Sequence, residues 1–319
     1  MVPGIEVLGT IGAQILAHLG TSSVNGMLKR RKEKKKELED AESSDQPVAV
    51  TSRELEEPEN LAGVLERIEQ LEQRQQDERV ANVLSVLEKT VEALADKEVP
   101  GQQPDSRWVS VFTESAQHAS TDELRDTWAR ILAGETERPG SISIRTLNTL
   151  DRLDQATARL FRRLCSMASY ILLPNGEYLD YRVPSLEGSA ANNSLKNYGI
   201  TFDDLNMMNE HGLVISDYNS WQDYGLCIAG HIPQMPLNQT VLGFIYQGKD
   251  RGLLPDGERE PNQEFRVSGV ALTRTGRELA RVVELELVPE YDQALAAYFS
   301  KEGLTMVRRR GSFLQPPDA

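Results

Sequence analysis

The stretch Ser120-Thr-Asp-Glu-Leu-Arg-Asp-Thr-Trp-Ala-Arg-Ile-Leu-Ala-Gly-Glu-Thr-Glu-Arg-Pro-Gly-Ser-Ile-Ser-Ile-Arg-Thr-Leu147 decides the fold. Ser120-Thr-Asp-Glu123 has the capping-box pattern that opens a helix. Leu124, Trp128, Ile131 and Leu132 then recur at the spacing of one buried helical face. Gly134 is a natural stop, Pro139-Gly140 makes a turn, and Ser141 or Ser143 can start a second helix carrying Leu147 and Leu150. The flanks supply further short helices. Upstream, Val99-Pro100-Gly101 and Pro104 break the chain, and Asp105 or Ser106 can cap a helix with Trp108, Val109 and Phe112. Downstream of Leu153, a helix is expected from Asp154 through Leu160, Phe161 and Leu164 to about Ala168. Short helices with short connections pack as a bundle, so residues 105–169 are expected to form a compact helical module.

Further upstream the pattern lengthens. From Asn60 to about Asp96 the chain reads as one helix, and residues 60–98 are assigned to it. Leu61, Val64, Ile68 and Leu71 follow heptad-like spacing; the pattern fails at Gln75 and Glu78 and resumes at Val80, Val83, Leu87, Val91 and Leu94. Two short heptad blocks make a candidate coiled coil and a candidate homo-oligomer contact. Residues 37–59 are polar and acidic, with Pro47 and Pro58, and read as a helix end followed by a linker.

Residues 1–36 form an apolar and basic N-terminal segment. Val7 to Leu28 has no formally charged residue and is followed by Lys29, Arg30, Arg31, Lys32, Lys34, Lys35 and Lys36. Leu8, Ile11, Ile15 and Leu19 form one helical stripe. Three readings are open: packing on the protein's own body, lying in a membrane interface with the seven cations on anionic headgroups, or a span or oligomer contact. Polar dilution of the stretch argues against a span. Secretory signals place their cations before the apolar region, so no signal peptide is expected.

Charge follows the same division. The formal net charge is −14. Residues 1–36 hold 7 basic and 2 acidic side chains, residues 37–150 hold 11 and 25, and residues 151–319 hold 17 and 22. Net acidity argues against non-specific coating of nucleic acid, which requires surplus Lys and Arg. Two cysteines, Cys165 and Cys227, are too few for a disulfide framework and fit a reducing cytosol. Four scattered histidines give no metal cage, and no metal or cofactor is expected.

In residues 170–319 an α/β domain is expected. Tyr170 to Val183 reads as two strands around Asn175-Gly176. Ala190 to Gly199 is loop-like, and Thr201 caps a helix to Asn209, followed by a strand over Leu213–Asp217. Further strands are expected at Thr240–Tyr246 and Phe265–Leu272, and Thr273 or Thr275 caps a helix with Leu279, Val282 and Val283. After Pro289 comes a last helix with Leu295, Tyr298 and Phe299, then a short strand reaching Val307. The class is α+β.

Two resemblances bear on function. Thr127-Trp-Ala-Arg-Ile-Leu-Ala-Gly-Glu135 and Arg138-Pro-Gly-Ser-Ile-Ser-Ile-Arg-Thr-Leu147 resemble a bacterial family called domain of unknown function 2806, with support from Glu72-Gln-Arg-Gln and Ala158-Arg-Leu-Phe-Arg-Arg-Leu-Cys165. The likeness covers about residues 60–310; Thr127 stands where the family pattern usually has Leu. What it implies is a bacterial accessory protein, with a helical module similar to those found in proteins suspected of abortive phage defence, and no family active site to carry over. Separately, Leu205-x5-His211-Gly-Leu-Val214 with Ala271-Leu-Thr-x-Thr-Gly-Arg-Glu-Leu279 resembles winged-helix proteins. A winged-helix reader puts a helix in the major groove. Here the candidate helix carries Asp203, Asp204 and Glu210 and no Lys or Arg, so protein contact is preferred over DNA.

Trp128, Glu135 and Arg145 are the binding candidates. Trp128 also fits a core position, and Glu135 with Arg145 also fits an ion pair or helix-end cap across the turn. Pro255-Asp256 with Glu264-Phe-Arg266 echoes the carboxylate pair of metal-dependent nucleases, although Asp256 sits in an Asp-Gly turn. No phosphate loop, nucleophile elbow or paired-Cys motif is present. The expected function is a non-enzymatic interaction protein, a sensor or adaptor in phage defence or stress response. It is expected to be cytoplasmic or peripheral to the inner membrane, with another protein as partner. A DNA-binding winged-helix regulator and a metal-dependent nuclease are the alternatives.

Overall fold

A computed structural model describes residues 3–20, 24–27, 29, 61–95, 97, 99–175, 177–189 and 191–315. The acidic linker 37–59 and the basic run Arg30–Lys36 lie outside the described residues. The chain is α+β and divides into two compact units, Met1–Asn148 and Thr149–Ala319.

The first unit is helical. It contains α1 (Pro3–His18), α2 (Leu61–Leu94), α3 (Ser106–Ala116), α4 (Asp122–Glu137) and the start of α5 (Ile144–Asp151). Helix α1 buries Val7, Ile11 and Ile15, Leu19 just after it is buried as well, and α1 packs against α3 and α2, with His18 Nε2 2.9 Å from Ser110 Oγ. Of the three readings of the apolar stripe, packing on the protein's own body is the one found; Val7 takes the fully inward place, and Leu8 is half-buried. No helix among the described residues is long and apolar enough to cross a membrane.

Helix α2 is continuous through the Gln-rich run where the heptads fail, with Gln73 Nε2 donating to Asp77 at 3.1 Å one turn on. Its second half packs on α4 and buries Val80, Val83, Val86, Thr90 and Leu94. Spacings of 3, 3, 4 and 4 follow the 3.6-residue period of a globular helix face. The expected inward positions Leu87 and Val91 are displaced by Val86 and Thr90; the Thr90 hydroxyl is satisfied by Val86 O at 2.7 Å, while Val91 is exposed.

Helix α4 starts one residue later than its capping-box pattern suggests. Thr121, not Ser120, is the N-cap, extended at φ −111° and ψ 158°, with its side chain accepting from Leu124 N–H. Gly134 does not stop the helix, which runs to Glu137: Gly134 O accepts the Arg138 amide at 3.0 Å, and the Ser141 hydroxyl at 3.2 Å. Asp105 caps α3.

The second unit contains the end of α5, α6 (Gln155–Ser166) and a nine-stranded sheet with every ladder antiparallel. Its strands are β1 (Ser169–Leu172), β2 (Tyr178–Pro184), β3 (Val214–Ile215), β4 (Trp221–Asp223), β5 (Gly243–Tyr246), β6 (Lys249–Pro255), β7 (Arg266–Leu272), β8 (Leu304–Arg310) and β9 (Phe313–Gln315). They run β3-β7-β2-β1-β5-β6-β8-β9, with β4 also on β7. Helices α7 (Phe202–Glu210), α8 (Arg274–Ala280) and α9 (Pro289–Lys301) complete the unit, and α9 packs on β8. Asn193 caps a turn of 3₁₀ helix, Ser194–Tyr198, inside the segment expected to be loop. In β2, Asp180 and Arg182 point to one face as a buried bidentate pair, Nε–Oδ2 2.6 Å and Nη2–Oδ1 3.1 Å. Arg182 Nη1 also donates to Ser220 O and Val267 O, so the pair ties β2 to its neighbour β7.

Candidate functional site

The signature stretch builds one side of a groove of about 440 Å³ in the first unit, lined among others by Gln103, Asp105, Trp108, Glu135, Gly140, Ile142 and Ser143. Asp105 fixes the start of α3 by accepting from Arg107 N–H at 3.0 Å and Trp108 N–H at 3.2 Å. That places the Trp108 indole over the turn after α4, where Nε1 donates to Ile142 O at 2.8 Å. Trp108 stacks on Phe112 at 5.2 Å, and Phe112 meets Trp128 edge-on at 5.5 Å. Trp128 is 3% exposed and does not line the groove. Its place is the core.

Glu135 is 2% exposed. Its Oε1 accepts Gly140 N–H at 2.6 Å and its Oε2 accepts Ile142 N–H at 2.9 Å, with the Ser141 hydroxyl at 3.4 Å. Gly140 holds φ +85°, which suits glycine at this bend. Burial pushes the Glu135 carboxyl above its ordinary value, and the amides of Gly140 and Ile142 oppose that. Both oxygens are occupied within the turn, so this acid holds the turn and is poorly placed as a general base. Arg145 is exposed and Glu135 takes amides in place of its guanidinium. The pairing considered between them is not formed.

In the second unit the two halves of the winged-helix-like pattern meet. Val214 pairs with Leu272 and Ile215 with Ala271, and Thr273 N–H donates to Leu213 O at 3.0 Å. Gly276 lies so close that an added Cβ would sit 2.0 Å from Leu213 O, which explains glycine in Leu272-Thr-x-Thr-Gly276. The unit differs from the expectation in scale, since these elements belong to a nine-stranded sheet. Asp204 of α7 is engaged in a full capping box with Thr201.

The acids of the nuclease-like pattern have separate partners. Asp256 accepts from the Thr305 hydroxyl at 2.9 Å, and Glu264 pairs with Arg266 at 2.7 Å. The Arg266 guanidinium lies 4.1 Å from the Trp221 ring centre. Cys227 is buried, and burial pushes its thiol up. Among the described residues no group of three or more His, Cys, Asp or Glu is placed to hold a metal ion. Of the basic N-terminal candidates, only Lys29 is among the described residues.

Two features escaped sequence reasoning. One is Trp108 as a groove-lining residue; the signal for it is Asp105 three residues before an indole that needs an acceptor. The second is the first half of α2, where Val64, Leu65, Ile68 and Leu71 are 38%, 52%, 44% and 55% exposed. Their heptad spacing was legible, but not that, among the described residues, the second half of the helix would be the half buried within the chain.

No curated protein and no solved structure matches the chain. A family profile described as "Protein of unknown function (DUF2806)" matches residues 66–296, from the exposed half of α2 to within α9. That is well over half of the sequence, and the chain therefore belongs to the DUF2806 family.

Proposed function

We propose that the protein is a non-enzymatic interaction protein that pairs with a second copy of itself through the first half of α2. The observation that carries this is the contrast along one helix: Val80, Val83 and Val86 are fully buried, while Val64, Leu65, Ile68 and Leu71 are exposed. With Leu61 and Ile68 at a, Val64 and Leu71 fall at d, Arg67 at g and Glu72 at e. A parallel, in-register copy then sets each Arg67 toward the Glu72 of the other chain. An antiparallel copy matches g with g, arginine against arginine. The packed second half holds the first half as helix in advance, which lowers the ordering cost that two isolated heptads would carry.

A sensor or adaptor role in phage defence or stress response follows from the resemblance described above, and self-pairing would present the second unit twice. The contacts between α7, β3, β7 and α8 support a winged-helix-like element there, and the acids of α7 favour protein over DNA as its partner. The test is mass in solution. At about 100 µM, well above a micromolar Kd, light scattering should give twice the chain mass for the wild type and the single-chain mass for Ile68→Glu. Because Ile68 is exposed, that substitution should leave the single-chain stability within about 0.5 kcal/mol. A monomeric wild type, or an Ile68→Glu variant that still pairs, overturns the reading.

A further inference from the structure

Strands β6 and β8 pair with Arg251 directly opposite Arg308. Residues two apart on a strand share a face, so Lys249 joins Arg251 there and Arg310 joins Arg308. Four cations thus stand as one block in a chain of net charge −14. Like charges directly opposite each other across a ladder are destabilising; the Asp292 carboxylate acts on Arg251 in the opposite sense but does not outweigh burial and the Arg308 charge. Among the described residues none of the four forms a salt bridge. Asp250, between two of them in sequence, points to the other face and holds Arg309 at 3.0 Å. Asp292 accepts the Tyr246 hydroxyl.

Arg251 is half-buried, and its Nε is shielded from solvent with no hydrogen-bond partner. Burial and the Arg308 charge hold its guanidinium below the ordinary arginine value. Lys249, Arg308 and Arg310 are exposed and stand on the same face of the ladder by register. We infer that this block binds a small anion carrying two or more linked phosphate groups, an inorganic polyphosphate or a nucleoside di- or triphosphate. Guanidinium forks match phosphate oxygens two at a time. The block is about 5 Å across the ladder and about 7 Å along it, the scale of neighbouring phosphates. Residues 151–319 carry 22 acids to 17 bases, which disfavours a long polyanion over a short one. Phe313 pairs with Arg310 from β9 and is exposed, offering a ring face to a base.

The experiment uses the full chain at low salt, titrated calorimetrically with sodium triphosphate, adenosine triphosphate, a single-stranded oligonucleotide, and sodium sulfate at matched ionic strength. Triphosphate should bind the wild type. Affinity should fall at least about tenfold in Arg308→Gln/Arg310→Gln, fall likewise in Lys249→Gln, and hold in Arg152→Gln, an exposed site elsewhere. Without ligand, the double variant should melt no lower than the wild type, because the opposed like charges are gone. Tighter binding of adenosine triphosphate than triphosphate assigns the ring face to a base; equal binding assigns the phosphates alone. The inference is overturned by absence of binding at millimolar triphosphate or adenosine triphosphate, by equal affinity in the double variant, by an equal response to sulfate, or by an oligonucleotide that binds tighter per phosphate.

Discussion

Replacing Glu135 by alanine should loosen the turn over residues 138–142 before any other part of the first unit. The carboxylate accepts two backbone amides, at 2.6 and 2.9 Å, and its side chain is almost wholly enclosed. Hydrogen bonds to a charged group contribute about 1.5–3 kcal/mol each. The Ile142 amide is buried and would be left without an acceptor, so it counts nearly in full. Gly140 lines the groove, where water can replace part of its bond, so it counts at the low end. The sum is a loss of about 4 kcal/mol. Urea unfolding is the assay, and slopes for small proteins are about 1–3 kcal/mol per molar. The transition of the helical unit should therefore move down by about 1–4 M, while that of the unit Thr149–Ala319 stays. Amide exchange at Ile142 should speed up in parallel. Arg145→Ala, at an exposed position, should change stability by no more than about 0.5 kcal/mol. If Glu135→Ala shifts nothing and the Ile142 amide stays protected, Glu135 is not holding the turn and its carboxylate is free for a ligand.

Gly276→Ala places a methyl group 2.0 Å from Leu213 O, backbone that cannot rotate aside, so it should destabilise the second unit by about 3 kcal/mol or more in the same urea assay. Asp154 caps α6, and its carboxyl is held below 3.8, chiefly by the Thr157 hydroxyl and then its amide. A depressed folded value contributes stability above the unfolded value that is lost as pH falls through the folded one. The melting difference between wild type and Asp154→Ala should therefore be full at neutral pH and shrink below pH 3.8; a constant difference down to strong acid would contradict it. Glu135 carries the opposite sign: its raised carboxyl should make the turn relatively more stable on acidification from neutral, as proton uptake removes the buried charge.

What was legible in the sequence was local. Caps at Asp105, Thr121, Asp154, Thr201 and Thr273 depend on a side chain reaching an amide two or three residues away, and each lies within one residue of its expected place. Strand β6 is not legible because Lys249-Asp-Arg-Gly shows no apolar alternation; it is made by its neighbours β5 and β8. Its hairpin turn is Gln247-Gly248, both at positive φ, and glutamine is not a usual first residue for that geometry. Strands β4 and β9, of three residues each, are too short for a period to register. In the site, Glu135 and the Pro139-Gly140 turn were recognisable, but the carboxylate's true partners are backbone amides, which carry no residue type. The opposed Arg251 and Arg308 lie 57 positions apart, and only strand register brings them together.

Disulfide trapping tests most directly whether the first half of α2 meets a second copy in parallel. The native cysteines are buried, so an introduced thiol reports alone. Under mild oxidation Val64→Cys, at a d position, should form a covalent dimer at low protein concentration, and Glu66→Cys, on the far side of the helix, should not. If Val64→Cys stays monomeric, or if the two variants cross-link equally, the first half of α2 is not the pairing surface.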